Sequence, residues 1–187
     1  MRIIAGVAKG RNLTSVLGAT RPTSDRAREA LFSTLLSEFG EFENLKFLDL
    51  FAGSAAVALE ALSRGATLVH AVEKEDSAVK TIRANQELVE RSNPPGKFHL
   101  YAMSAQKFLA NVSNQYDIIF MDPPYEFGDQ GVSEILDLII QNNFIRKGGV
   151  VVIERATKSP AIKWPAPLTA LREKEYGVAT LYYGEMG

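Results

Sequence analysis

Five short apolar runs punctuate the chain after residue 46: Phe47–Phe51, Leu68–Val72, Phe98–Ala102, Tyr116–Met121 and Val150–Ile153. Near-continuous hydrophobicity of this length predicts strands covered on both faces. Between them, Ala55–Arg64, Ser77–Arg91, Ala105–Ala110 and Val132–Asn142 carry apolar residues at helical spacing. Strand and helix in alternation predict an α/β fold, a doubly wound parallel sheet joined by right-handed crossovers. The tail departs from this pattern. There, Leu171–Tyr176 and Val178–Tyr183 flank Gly177, which predicts a closing antiparallel hairpin.

Ahead of the alternating region, Arg2–Val7 and Asn12–Val16 surround Lys9-Gly10, a short hairpin with basic residues at its tip. Then comes Arg21-Pro22-Thr23-Ser24, followed by Ala27, Ala30, Leu31, Thr34, Leu35 and Phe39. That spacing predicts an amphipathic helix with Thr23 or Ser24 as its N-cap. The chain divides into an N-terminal extension, 1–45, and a single compact core, 46–187.

Composition narrows the function classes. With 187 residues, 46% hydrophobic and 23% charged, the chain has enough apolar material for one core, which argues against disorder and coiled coil. The absence of cysteine removes disulfides, thiolate metal sites and Cys nucleophiles. His70 and His99 fall within strand-like runs with no ligand cluster in register, so packing and no metal is the expectation. No run reaches the ~18–20 apolar residues of a membrane span, and Ile3-Ile4-Ala5 breaks at Gly6 before it could form a signal core. A cytoplasmic protein without membrane contact is expected.

The net charge of −1 conceals a split. Residues 1–28 hold six basic side chains against Asp25 alone, a net +5, whereas the rest holds 15 basic and 21 acidic groups, a net −6. A basic arm on an acidic body is a candidate phosphate footprint.

In a doubly wound sheet, ligands gather beyond the carboxyl ends of the strands. The first strand runs into Asp49-Leu50-Phe51-Ala52-Gly53-Ser54-Ala55-Ala56, small residues feeding a helix whose first N–H groups can face a ligand. Glu73 ends the second strand, 20 residues beyond Gly53, the position from which nucleotide-binding folds hold ribose hydroxyls. The turn lacks the full G-x-G-x-x-G, which weakens a dehydrogenase reading and leaves other adenosine cofactors open. After the fourth strand stands Asp122-Pro123-Pro124-Tyr125. Two prolines fix the turn and present bare carbonyls. A base could stack on Tyr125 and donate its exocyclic amine hydrogens to Asp122 and the Pro123 carbonyl. Such acceptors favour a tetrahedral nitrogen whose lone pair points at an electrophile, and Asp122 stabilises the charge that develops.

Taken in order, Asp49 to Ser54, Glu73 and Asp122 to Tyr125 resemble the class I S-adenosylmethionine-dependent amino-methyltransferases. The N-terminal residues Arg2-Ile3-Ile4-Ala5-Gly6, Lys9-Gly10-Arg11, Arg21-Pro22-Thr23-Ser24-Asp25-Arg26 and Arg28 to Phe32 narrow the resemblance to the bacterial 16S rRNA guanine-N2 methyltransferases, over residues 2 to about 183. The resemblance implies a Rossmann-like fold with a seven-stranded, mostly parallel sheet and an antiparallel C-terminal hairpin. It implies S-adenosylmethionine as cofactor, lined by Asp49, Phe51, Ala52, Gly53 and Ser54, with Glu73 on the ribose and Lys74, Ser104 and Ala105 around the adenine. Asp122, Pro123, Pro124 and Tyr125 would hold the target guanine, and Arg2, Lys9, Arg11, Arg21, Thr23, Arg26 and Arg28 would meet RNA. The implied partner is 16S rRNA within a small ribosomal subunit particle, engaged by a monomer.

Two departures stand out. The family's usual Gly-Ser-Gly turn and a further helix glycine are Gly53-Ser54-Ala55 and Ala58 here, and its Asp-Ala pair is Ser104-Ala105. Added methyls and a neutral serine predict weaker cofactor binding. A DNA adenine or cytosine N-methyltransferase, and a non-catalytic RNA-binding assembly protein, remain the alternatives.

Overall fold

A computed structural model describes residues 1–16 and 24–187. Helix α1 (Asp25–Phe39) starts at Ser24, whose hydroxyl accepts from Ala27 N–H at 3.1 Å. The alternating region follows as β1 (Lys46–Asp49), α2 (Ala56–Ser63), β2 (Leu68–Glu73), α3 (Asp76–Glu90), β3 (Lys97–Ala102), α4 (Ala105–Asn111) and β4 (Tyr116–Met121). A one-turn 3-10 helix at Tyr125–Phe127 leads into α5 (Gly128–Gln141), then β5 (Ile145–Ala156), β6 (Leu168–Tyr176) and β7 (Ala179–Met186). The seven strands form one sheet in the order β3-β2-β1-β4-β5-β7-β6. β1 to β5 pair in parallel, and β7 joins antiparallel between β5 and β6. The Rossmann-like expectation and the closing hairpin both hold.

Strand order reverses between β1 and β4, so their carboxyl ends open the ligand crevice. Successive side chains on a strand point to opposite faces, and this divides the core. Phe47, Ile118, Phe120, Val150 and Val152 pack on the side that holds α1, α2 and α3. Leu48, Ile119, Met121, Val151 and Ile153 pack against α4 and α5. Charged Arg172, Glu173, Lys174 and Glu175 are carried by β6, an arrangement that discourages pairing at an open edge.

Helix α5 and strand β6 begin four and three residues earlier than the sequence reading, at Gly128 and Leu168, strand β7 runs on to Met186, and two further elements differ more. β5 begins five residues earlier than the apolar run, because its register against β4 shifts between Tyr116 and Ile118 and the Gly148-Gly149 segment is absorbed as an irregularity within the strand. The N-terminal hairpin shrinks to one bridge, Arg2 with Asn12, and its turn lies on α2. Val7 N–H donates to the Ser63 carbonyl at 2.9 Å, and the N–H groups of Ile4 and Ala5 donate to the Glu60 carboxylate at 2.8 and 3.0 Å. A Cβ on Gly6 would lie 1.8 Å from the Ser63 carbonyl oxygen, so only glycine permits this approach. Among the described residues, no helix is long and apolar enough to cross a membrane.

Candidate active site

Beyond β1, Leu50 N–H donates to the Phe120 carbonyl and Ala52 N–H to the Val72 carbonyl, both at 3.0 Å. These bonds thread the chain between β4 and β2. It then turns through Gly53 (φ 56°) and Ala55 (φ 59°). Gly53 N–H donates to Glu73 Oε2 at 2.8 Å, while Glu73 Oε1 accepts from Lys74 and Glu75 N–H at 2.8 and 2.9 Å. On the other side of the turn, Asn85 Nδ2 donates to the Ser54 carbonyl at 3.0 Å.

Ala55 occupies the left-handed region, which costs an L-residue about 1–2 kcal/mol. Its methyl is fully buried among Ala52, Leu59 and their neighbours, as is that of Ala58, and neither lines the cavity beside the turn.

That cavity has a volume of about 630 Å³ and lies along the carboxyl ends of β1, β2, β4 and β5. Asp49, Phe51, Ala52, Gly53, Ser54 and Glu73 line one part of it, with Lys74, Ser104 and Ala105 alongside. Ser104 serves as N-cap of α4, accepting from Lys107 N–H at 3.2 Å; its hydroxyl hydrogen is still available to a ligand acceptor.

Asp49 is buried, and among the described residues its Oδ1 has no hydrogen-bond partner. Burial raises its pKa to about 7, against the opposing hydrogen bond from the Phe51 backbone and with a smaller push from the Glu73 charge. A buried carboxyl group with one oxygen unpartnered and a cavity in front of it suits a cationic partner. S-adenosylmethionine carries an ammonium on its methionine part and ribose hydroxyls that suit Glu73, so the residues present fit that cofactor.

Across the cavity, β4 delivers Asp122, Pro123, Pro124 and Tyr125. Pro123 is buried and Asp122 half-buried, whereas the Tyr125 ring is 64% exposed. The Pro124 carbonyl accepts from Phe127 N–H at 2.9 Å, closing the 3-10 turn. Phe127 meets Phe51 edge-on at 5.0 Å between ring centroids, so the two turns pack on each other. Arg155, at the end of β5, reaches Asp129 in the first turn of α5 at 2.7 Å and fixes this side to the sheet.

The basic residues scatter. Arg2, Lys9, Arg11 and Arg26 are exposed; Arg21 and Thr23 lie outside the described residues. Arg28 departs from the expected RNA contact: it is fully buried, bonded to the Arg2 carbonyl at 2.5 Å and to Asp25 at 2.9 Å, and lies 3.9 Å from Glu60. It cannot reach RNA, because it balances the Glu60 carboxylate inside the protein. Arg11 donates to Ser92 at 3.3 Å, past the end of α3 that is remote from the cavity. His70 is buried and hydrogen-bonded to the Tyr116 hydroxyl at 2.6 Å; burial lowers its pKa to about 4, as befits a packed imidazole.

Two supporting residues escape the sequence reading, Glu60 and Asn85. Each carried a signal: a lone carboxylate in the otherwise apolar run Ala56–Leu62, and an amide in step with Ala78, Val79, Ile82 and Val89 on the buried side of α3.

The family model Conserved hypothetical protein 95 matches residues 1–185. Ribosomal RNA small subunit methyltransferase D of Haemophilus influenzae is 33% identical over 186 residues, covering 96% of this chain and 91% of that protein. The solved structure of the Escherichia coli yhhF protein superposes with a TM-score of 0.84 at 28% identity, covering 100% of this chain and 97% of that one. A Synechocystis magnesium protoporphyrin IX methyltransferase, solved with bound S-adenosylmethionine, shares the fold alone, at TM-score 0.61 and 13% identity over 87% of this chain and 79% of that one. With this fold, this cavity and a match from end to end, the chain belongs to the Conserved hypothetical protein 95 family, among class I methyltransferases that use S-adenosylmethionine.

Proposed function

We propose that the protein methylates the exocyclic N2 amine of a guanine in small-subunit rRNA. The observation that carries this reading is the Asp122 to Tyr125 turn standing on the same cavity as the Glu73-held turn, with Tyr125 exposed. Its relatives' name, ribosomal RNA small subunit methyltransferase D, supports the choice of RNA.

When bound, S-adenosylmethionine supplies an electrophilic methyl on its sulfonium and leaves as the thioether. Tyr125 stacks against the flipped base, an interaction worth roughly 1–3 kcal/mol. Asp122 and the Pro123 carbonyl accept the two amine hydrogens, directing the nitrogen lone pair toward the methyl carbon. As the new C–N bond forms, Asp122 faces the developing ammonium charge and receives its proton. The exposed Arg2, Lys9, Arg11 and Arg26 meet phosphate. Four exposed cations in this segment give modest affinity for bare RNA, which favours a folded small-subunit particle as substrate. The test is incubation with tritiated S-adenosylmethionine and unmethylated small subunits, followed by digestion. Label in N2-methylguanosine is expected; label in N6-methyladenosine, or none at saturating cofactor, overturns the reading.

A further inference from the structure

Residues 1–16 form an arm that descends along α2, turns at Gly6–Gly10 and returns along α3. Its first half is held by Glu60 and Ser63; its return is held by Asn85, by Ser92, and by backbone bonds to the first half, where Leu13 N–H donates to the Met1 carbonyl and Ile3 N–H to the Arg11 carbonyl, both at 2.9 Å. Thr14 N–H donates to Asn85 Oδ1 at 2.9 Å, and Asn85 Nδ2 donates to the Thr14 carbonyl at 2.9 Å. The same amide nitrogen donates its second hydrogen to the Ser54 carbonyl at 3.0 Å. Asn85 is 1% exposed. One buried side chain thus bonds both the arm and the cofactor turn. Immediately beyond this link, Ser15 and Val16 line the cavity, together with Met1 from the arm's other end.

We propose that Asn85 is a positioning residue that makes arm docking and cofactor binding one coupled equilibrium. When the return half of the arm lifts, Asn85 loses two partners at once. A buried amide left half-satisfied is costly, so it turns toward water and releases the Ser54 carbonyl. The turn that shapes the cofactor side of the cavity then loses one of its two outside supports. Conversely, a ligand that requires the turn in place favours the docked arm. The link between the two sites runs through these three hydrogen bonds. The coupling needs only the cofactor; its extension to RNA rests on the proposed function.

Trypsin cleavage after Lys9 and Arg11 reports opening of the arm. In the full-length protein, S-adenosylhomocysteine is expected to slow that cleavage by about tenfold. Asn85→Asp, which faces two carbonyls with a carboxylate, should reduce the protection below about twofold with the ligand at saturation. Thr14→Pro removes the N–H from the exposed side of the same link and should do the same without touching the core. Saturation is checked by calorimetry for each variant. Equal protection in the wild type and Thr14→Pro, or no protection in the ligand-bound wild type, overturns the proposal. A second arm of the experiment measures S-adenosylhomocysteine affinity with and without unmethylated small subunits, where the wild type should tighten and both variants should not. Failure to bind the subunits while the protection pattern persists overturns the RNA reading and leaves the coupling supported.

Discussion

The two turns that face the cavity are held in opposite ways. The turn after β1 takes its shape from outside itself: Glu73 holds the Gly53 N–H and Asn85 holds the Ser54 carbonyl, from 20 and 31 residues away in the chain. The turn after β4 is stiff by its own covalent make-up, since Pro123 and Pro124 fix their φ angles unaided. One side of the cavity is preorganised by long-range hydrogen bonds and answers to its neighbours. The other keeps the φ angles of its two prolines whatever its neighbours do, although Phe51 and Arg155 help to seat it. A group on the first side should therefore govern affinity, and a group on the second should govern rate.

The largest test of that contrast is Asp122→Ala. Loss of an acceptor at the developing charge should lower kcat on the order of 10³-fold in steady-state methyl transfer, with the calorimetric Kd for S-adenosylhomocysteine little changed. A Kd that moves as far as kcat would erase the distinction between the sides. Glu73→Gln should act in the other sense. It weakens support at the Gly53 turn and raises that Kd by about tenfold, the cost of one charge-assisted hydrogen bond, with a smaller change in kcat at saturation.

Asp49 gives a pH signature on the cofactor side only. Its folded-state pKa of about 7 lies above the ordinary value of 3.8, so the folded chain holds a proton that the unfolded chain has released. Stability from this group therefore falls as pH rises from about 4 to 7. An ammonium-bearing ligand favours the ionised form, so its affinity should rise about fourfold between pH 6.5 and 8 and its binding should release a proton. Calorimetry in buffers of different ionisation enthalpy measures that proton, and Asp49→Asn should abolish it. The smallest effect is expected from Ala55→Gly. Relief at positive φ is offset by backbone entropy and the lost buried methyl, leaving a change of about 0.5 kcal/mol or less in urea unfolding. A larger gain would mean that strain, not outside support, dominates this turn.

The same contrast explains what the sequence disclosed. The Asp122 to Tyr125 turn is local, so four adjacent residues were enough to read its chemistry. Alternating apolar runs were likewise enough for the sheet, because strand and helix periods are local properties. Asn85 and Glu60 act on residues 31 to 71 and 55 to 56 positions away, so helical spacing marks them as buried but does not say what they bond. Arg28 shows the limit of counting charge: the guanidinium that looked like part of a phosphate footprint neutralises a buried carboxylate. The methyl of Ala55 was foreseen, but the direction it takes into the core depends on a left-handed backbone that composition does not reveal.

Helix α3 also measures something. Its first turn borders the cavity, and Ser92, two residues past its end, touches Arg11. Fifteen residues at 1.5 Å each separate these points by about 22 Å. Along one strand of a duplex that is about six to seven nucleotide steps of 3.4 Å. An RNA that met both Arg11 and the cavity, as the proposed function requires, would have to be at least this long.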